Sequence, residues 1–263
     1  MTRTDEATLA NKAKQLLLAH HDAHPLLLVN AWDVASARAV ASAGFPVVAT
    51  SSRAIAQVLG EPDDDSSDPD VIFSFATRIA SAVSVPVTLD LEAGFGLSPS
   101  TLVERLLRAG VVGCNLEDTD HHGGDVLLDP ARQAAFLAEV RAASERCGVH
   151  VVINARVDAF IRQFPDQAAQ VDEAIHRARL YLEAGVDCVY PIAVSRREDV
   201  ATLVAAIPGP LNFLARQGGL SIAELSTLGA RRISLASGVF NLLATRHAEI
   251  TEALARGESL DDL

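Results

Sequence analysis

The sequence predicts an α/β fold, a (β/α)8 TIM-type barrel with an additional C-terminal helix. Eight short apolar runs alternate with longer segments whose apolar residues recur every three or four positions. Alternation of that kind builds a parallel sheet covered on both faces. The length, 263 residues, is usual for eight such units closed on themselves. No stretch rich in Pro, Gly or Ser divides the chain, so residues 1–263 are expected to form one barrel domain.

The elements follow in order. A helix over about 5–20 precedes the first strand, LLLVN at 26–30. VASARAVASAG then repeats as an amphipathic helix and leads to VVATS at 47–51. The third and fourth strands are VTLDLE at 87–92 and VGCNLE at 112–117, with PSTLVERLLRAG as the helix between them. VVINAR at 151–156 and CVYPI at 188–192 flank the helical DEAIHRARLYLEAG, and LNFLA at 211–215 and ISLAS at 233–237 complete the set. Gly44, Gly110, Gly185 and Gly229 end helical runs shortly before strands two, four, six and eight, where a left-handed cap suits glycine. The stretch from about 239 to 261 is a closing helix. Its Leu242, Leu243, Ile250 and Leu254 are available to the barrel or to another subunit.

Composition excludes several functions. A net charge of −12, from 34 acidic against 22 basic side chains, argues against nucleic acid as a partner, because phosphate binding needs a basic face. Lys12 and Lys14 are the two lysines, both ahead of the first strand. Unless one of them folds back, Schiff-base chemistry has no amine in the barrel. Cys114, Cys147 and Cys188 show no paired metal spacing, and no run has the length of a membrane span or the form of a leader. The expectation is a cytoplasmic protein with no membrane partner.

Active sites of parallel barrels sit at the C-terminal ends of the strands, and here those ends are polar: Asn30 to Asp33, Thr50 to Ser52, Asp90 and Glu92, Asn115 to Asp118, and Asn154 to Asp158. Asp90 and Glu92, two apart on an extended segment, project to one side, and Glu117 ends the next strand at the same level. Three carboxylates there repel unless a cation neutralises them. Oxygen-only ligands, with no histidine or cysteine expected beside them, favour Mg²⁺ or Mn²⁺ over zinc. The glycine-rich turn Ala93 to Gly96 follows directly. The alternative is that some of these acids cap helices or pair with arginines. Arg156 faces the same mouth, either to hold a substrate carboxylate or phosphonate in its planar fork or to pair with Asp158 or Glu117. The acidic run EPDDDSSDPD at 61–70 has the character of a solvated loop.

TLDLEAGFG, GVVGCNLED and VINARVDAF, together with NAWDVASARAVASAGFPVVATSS and LGEPD, resemble the isocitrate lyase / phosphoenolpyruvate mutase superfamily over roughly Leu26 to Ser237. The resemblance implies a Mg²⁺-binding barrel acting on a small anionic 2-oxo or 2-hydroxy acid, often as a homotetramer with exchanged C-terminal helices. It makes Asp90 the direct metal ligand, with Glu92 and Glu117 holding metal-bound waters. Asp63 of LGEPD becomes a loop carboxylate beside metal and substrate, Ser51 and Ser52 grip the oxo-acid end, and Arg156 holds a carboxylate.

Departures narrow the function. Isocitrate and methylisocitrate lyases carry Lys-Lys-Cys-Gly-His after the strand-four acid, whereas this chain reads Asp118-Thr119-Asp120-His121-His122-Gly123-Gly124-Asp125. Those two activities are therefore not expected. Arg53 and Ile192 also depart from the pattern around the outer pocket. His121 and His122 are left as acid/base candidates, since imidazole titrates near neutrality; the alternative is a pair of exposed loop histidines. The leading expectation is a Mg²⁺-dependent lyase that cleaves or forms a C–C bond beside a 2-oxo or 2-hydroxy carboxylate through a metal-stabilised enolate. The alternatives are P–C chemistry, as a phosphonomutase or phosphonopyruvate hydrolase, and a non-catalytic oxo-acid binder.

Overall fold

The computed structural model describes residues 3–162 and 166–262. Helix α1 (Arg3–Ala19) leads to β1 (Leu26–Leu28) and β2 (Asn30–Ala31), the two halves of the first barrel strand. Then come α2 (Val34–Ser42), β3 (Val48–Thr50), α3 (Ser52–Leu59), α4 (Pro69–Ala82), β4 (Val87–Asp90), α5 (Pro99–Arg108) and β5 (Gly113–Glu117). A short hairpin, β6 (Thr119–Asp120) and β7 (Val126–Leu127), precedes α6 (Pro130–Arg146), β8 (Val152–Val157) and α7 (Gln167–Glu183). The chain continues through β9 (Cys188–Pro191), α8 (Arg197–Ala206), β10 (Asn212–Leu214), α9 (Ile222–Leu228), β11 (Arg232–Ser234) and α10 (Gly238–Ala255).

The break in the first strand closes the barrel. β2 begins a parallel run in the order β2-β3-β4-β5-β8-β9, while β1 pairs with β11 and β11 with β10. A parallel bridge from Val189 to Leu211 joins the two sheets on the other side. All eight expected strands are present. Apolar strand residues such as Leu89, Leu116, Ile153 and Phe213 are fully buried, as a sheet wrapped by helices requires.

Local signals set the helix starts. Asp33, Ser51, Asp68, Ser98, Asp129, Asp166 and Ser221 each accept a first-turn backbone N–H. Gly44, Gly110, Gly185 and Gly229 have φ of 89°, 80°, 91° and 103°, the left-handed geometry expected of them. At the N-terminal end of the barrel, a Cβ on Gly113 would run into the Leu16 side chain of α1. The bare glycine lets α1 seal that end, and Lys12 and Lys14 ride on this helix rather than at the mouth.

Two boundaries and the burial of one loop differ from expectation. The third strand stops at Asp90: Glu92 has φ of 50°, so it leaves the extended path, and strand alternation does not set its direction. The acidic run is not wholly solvated, because Asp65 and Ser67 are buried within it. The last helix ends at Ala255, before Gly257 at φ 90°, and a 3₁₀ turn takes up Leu260–Asp262. Leu242 and Leu243 on α10 are 62% and 55% exposed. Among the described residues no helix is long and apolar enough to cross a membrane, and Cys114, Cys147 and Cys188 are free thiols.

Candidate active site

The mouth is built on the register of three neighbouring strands. Asp90 of β4 lies opposite Asn115 of β5, which lies opposite Asn154 of β8, and two residues further up Glu117 lies opposite Arg156. Asp90 is held from several sides. Its N–H donates to Thr50 Oγ1 at 2.9 Å, and Oδ2 accepts from Ser52 N and Oγ at 3.1 and 3.0 Å. Oδ1 accepts from Asn115 Nδ2 at 3.3 Å. Oδ1 therefore keeps a lone pair, while Oδ2 has both of its own engaged by Ser52.

Glu92 reaches the mouth by its left-handed turn, a strained conformation of the kind that clusters at functional sites. Its Oε2 accepts the Asp65 N–H. Asp65 Oδ1 in turn accepts from Phe95 N at 2.8 Å and Ala93 N at 3.2 Å, pinning the glycine-rich turn. Asp65 is a site residue that the sequence hid, because nothing separates it from its exposed neighbours in the acidic run.

Glu117 is buried between two cations. Arg156 pairs with its Oε2, and His121 Nε2 lies 2.5 Å from Oε1. His121 comes from the β6–β7 hairpin, and its Nδ1 contacts Asp125 Oδ1 at 3.0 Å. A histidine therefore does stand beside the carboxylates: His121 follows Glu117 by four positions, and the hairpin turns its ring back onto that carboxylate. The hydrogen bond to Glu117 pushes its pKa up to about 9 against the effect of burial, so it is protonated near neutrality. His122 is different. Its side chain is 68% exposed, with Nε2 3.6 Å from Asp65 Oδ2.

Arg156 makes both ion pairs that the sequence left as alternatives to substrate holding. Nε and Nη2 clasp Asp158 at 2.7 and 3.0 Å, and Nη1 meets Glu117. Three of the five guanidinium hydrogens are used, which leaves two. Behind it Asp158 Oδ2 accepts from Thr119 Oγ1 at 2.6 Å, while buried Asp118 receives the Asp158 N–H, Arg177 and Tyr181 OH. This buried network fixes the arginine from the rear. Arg177 and Tyr181 belong to α7, where a helical stripe gave no sign of a role at the mouth.

Ser51 caps α3 through its hydroxyl, which accepts from Ala54 N at 3.3 Å, and Ser52 is turned to Asp90. Asp63 pairs with the exposed Arg53 at 3.3 Å through Oδ2, while its Oδ1 is buried without a hydrogen bond. Burial, with Asp63, Glu117 and Asp90 nearby, pushes Glu92 up to about 8, and burial raises Glu117 against the pull of Arg156. Glu92 and Glu117, which burial first of all makes hard to ionise, beside an Asp63 oxygen buried without a hydrogen bond, fit an oxygen-preferring divalent cation. Among the described residues no three His, Cys, Asp or Glu side chains close into a ready cage.

A closed β/α barrel whose strand ends gather carboxylates, an arginine and a hairpin histidine has the architecture of a barrel enzyme. The chain belongs to the phosphoenolpyruvate phosphomutase family, whose model matches residues 16–255, within the isocitrate lyase/PEP mutase superfamily. It is 32% identical over 244 residues to an uncharacterized protein of Mycobacterium tuberculosis, covering 92% of this chain and 89% of the other. Oxaloacetate decarboxylase 1 of Pseudomonas fluorescens is 30% identical over 240 residues, 88% of this chain and 79% of that protein. The crystal structure of 2,3-dimethylmalate lyase superposes with a TM-score of 0.82 at 25% identity, covering 93% of this chain and 87% of that one.

Proposed function

We propose that this protein is a Mg²⁺-dependent lyase that cleaves or forms a C–C bond beside a 2-oxo or 2-hydroxy carboxylate. The observation that carries this is the crowding of Asp90, Glu92 and Glu117 at the mouth with Arg156 beside them. A carbon–carbon lyase and a decarboxylase of organic acids among its relatives support the class. Mg²⁺, or Mn²⁺ in its place, would be held directly by Asp90, with Glu92 and Glu117 gripping its waters and Asp63 closing over it. Bound there, the ion supplies a Lewis acid for the substrate's oxygens.

The remaining work falls to side chains. The two spare N–H groups of Arg156 orient a substrate carboxylate, and the oxo-acid end is received at Ser51 and Ser52, where the Ser51 hydroxyl hydrogen is free to donate because its oxygen accepts the α3 cap. His121, protonated at Nε2 against Glu117, holds the proton that the carbanionic product needs, with His122 at the rim as the second candidate. The exposed Leu242 and Leu243 support a homo-oligomer, a tetramer on the family pattern.

A panel of 2-oxo and 2-hydroxy acids, assayed with Mg²⁺ and with chelator, tests the proposal. Metal-dependent C–C cleavage is the expected result. Binding of oxalate with no turnover across the panel would overturn the lyase in favour of a binder. The family model's own description favours a second reading, P–C chemistry. Phosphorus-31 NMR with phosphonopyruvate separates the two, since only P–C chemistry yields a new phosphorus species.

A further inference from the structure

Arg232 opens β11 with its side chain inside the barrel, 1% exposed. Its hydrogen bond runs from Nη2 to Asn115 Oδ1 at 3.0 Å, while Nε and Nη1 are buried without a partner. Among the described residues no carboxylate lies within ion-pair distance of it. A cation buried without a counter-charge opposes folding. A methionine or leucine would fill the space at lower cost, so packing does not account for the arginine.

Its effect is visible one contact further along. Asn115 Oδ1 also accepts from Asn154 Nδ2, at 2.9 Å. An arginine can only donate, so the atom facing Arg232 must be the amide oxygen. The amide nitrogen of Asn115 is thereby turned to Asp90, where Nδ2 donates to Oδ1. With the arginine removed, the amide oxygen keeps only its bond from Asn154, a neutral donor whose own amide can turn, and the restraint that keeps Nδ2 facing Asp90 is weakened.

We propose that Arg232 is a positioning residue for the mouth: acting through Asn115, it holds the Asp90 carboxylate in the orientation that receives a divalent cation. This rests on the metal role given above to Asp90. Groups that orient metal ligands from behind typically set affinity by about 10- to 100-fold, and the arrangement gives a costly buried charge a task at the mouth.

A double-mutant cycle read by calorimetric Mg²⁺ titration tests it. R232M and N115A are each expected to weaken Mg²⁺ binding about tenfold, and R232M/N115A to bind no more weakly than N115A alone, because one acts through the other. Unchanged affinity in R232M, or losses that multiply in the double variant, would overturn the proposal. Should R232M fail to fold, R232Q, too short to reach Asn115, takes its place under the same criteria. If the unaltered protein takes up no Mg²⁺, the metal role of Asp90 falls, and the crystal structure of the Arg232 variant decides the relay alone. An Asn115 amide turned from Asp90 supports the relay, and Asn115 and Asp90 left in place refute it.

Discussion

Arg156 and Asp158, two positions apart where β8 ends, form a two-pronged ion pair, with Nε and Nη2 at 2.7 and 3.0 Å from the two carboxylate oxygens. Residues at that spacing share a face of an extended chain, and the pairing fixes the plane of the guanidinium. An arginine locked in this way is pre-organised to receive a second carboxylate.

Removing the lock should cost both stability and affinity. Asp158 is fully buried, and losing one partner of a buried pair typically costs about 3–5 kcal/mol. Asp158→Ala is expected to lose about 3 kcal/mol in urea unfolding. Arg156→Lys keeps a charge but not the fork, so KM for the acid substrate should rise about tenfold or more. A D158A protein as stable as the unaltered one would contradict the network.

Asp90 carries the metal argument. Asp90→Asn preserves size and the contacts from Ser52 and Asn115 in part, yet removes the charge. Calorimetry is expected to find Mg²⁺ uptake lost and turnover abolished while the circular dichroism spectrum is kept. Wild-type Mg²⁺ affinity in D90N would remove Asp90 from the site.

The barrel, its eight strands and most of the acid cluster were legible because they rest on local signals: alternation, capping residues, and polar groups where a buried strand ends. Asp65 was not legible, since burial within an acidic run depends on the Ala93–Phe95 turn folding over it. Glu92 appeared in the right place for the wrong reason: a left-handed turn, not strand alternation, brings it to the mouth. Arg232 was invisible because its partner Asn115 is 117 positions away. The position of His121 depended on the β6–β7 hairpin, whose pairing of Thr119 with Leu127 follows from no strong strand pattern.

That hairpin makes His121 and His122 unequal. With a side chain 8% exposed and both ring nitrogens engaged, His121 should matter more than His122. His121→Gln is expected to lower kcat about 10²- to 10³-fold with little change in KM, and His122→Gln to have a smaller effect. Steady-state kinetics on the active acid decides this, and the reverse order would shift the proton to His122.

On α10, Leu242 and Leu243 expose two large apolar side chains side by side, which marks a contact surface more often than a free one. Leu242→Glu with Leu243→Glu should lower the mass found by sedimentation. An unaltered protein that sediments as a monomer would refute the proposed assembly.

His20 ties stability to pH. Its Nδ1 lies 2.8 Å from the Leu16 carbonyl, which can only accept, so Nδ1 carries the hydrogen and Nε2 is the bare, buried nitrogen. Burial first, and then the charge of Arg232, hold its pKa at about 4, below the ordinary 6.5, with His21 acting the same way and Asp187 against them. Between those values the unfolded chain binds a proton that the folded chain refuses. This contribution is therefore fully present above about pH 6.5 and is lost as pH falls toward 4, by roughly 3 kcal/mol in all. Buried carboxyls with raised pKa change stability in the opposite sense, so the variant must isolate the histidine. His20→Phe keeps a ring without a titrating nitrogen. The difference between its urea midpoints at about pH 7.5 and about pH 5 should be smaller than that of the unaltered protein, and an equal difference would show that His20 does not carry the effect.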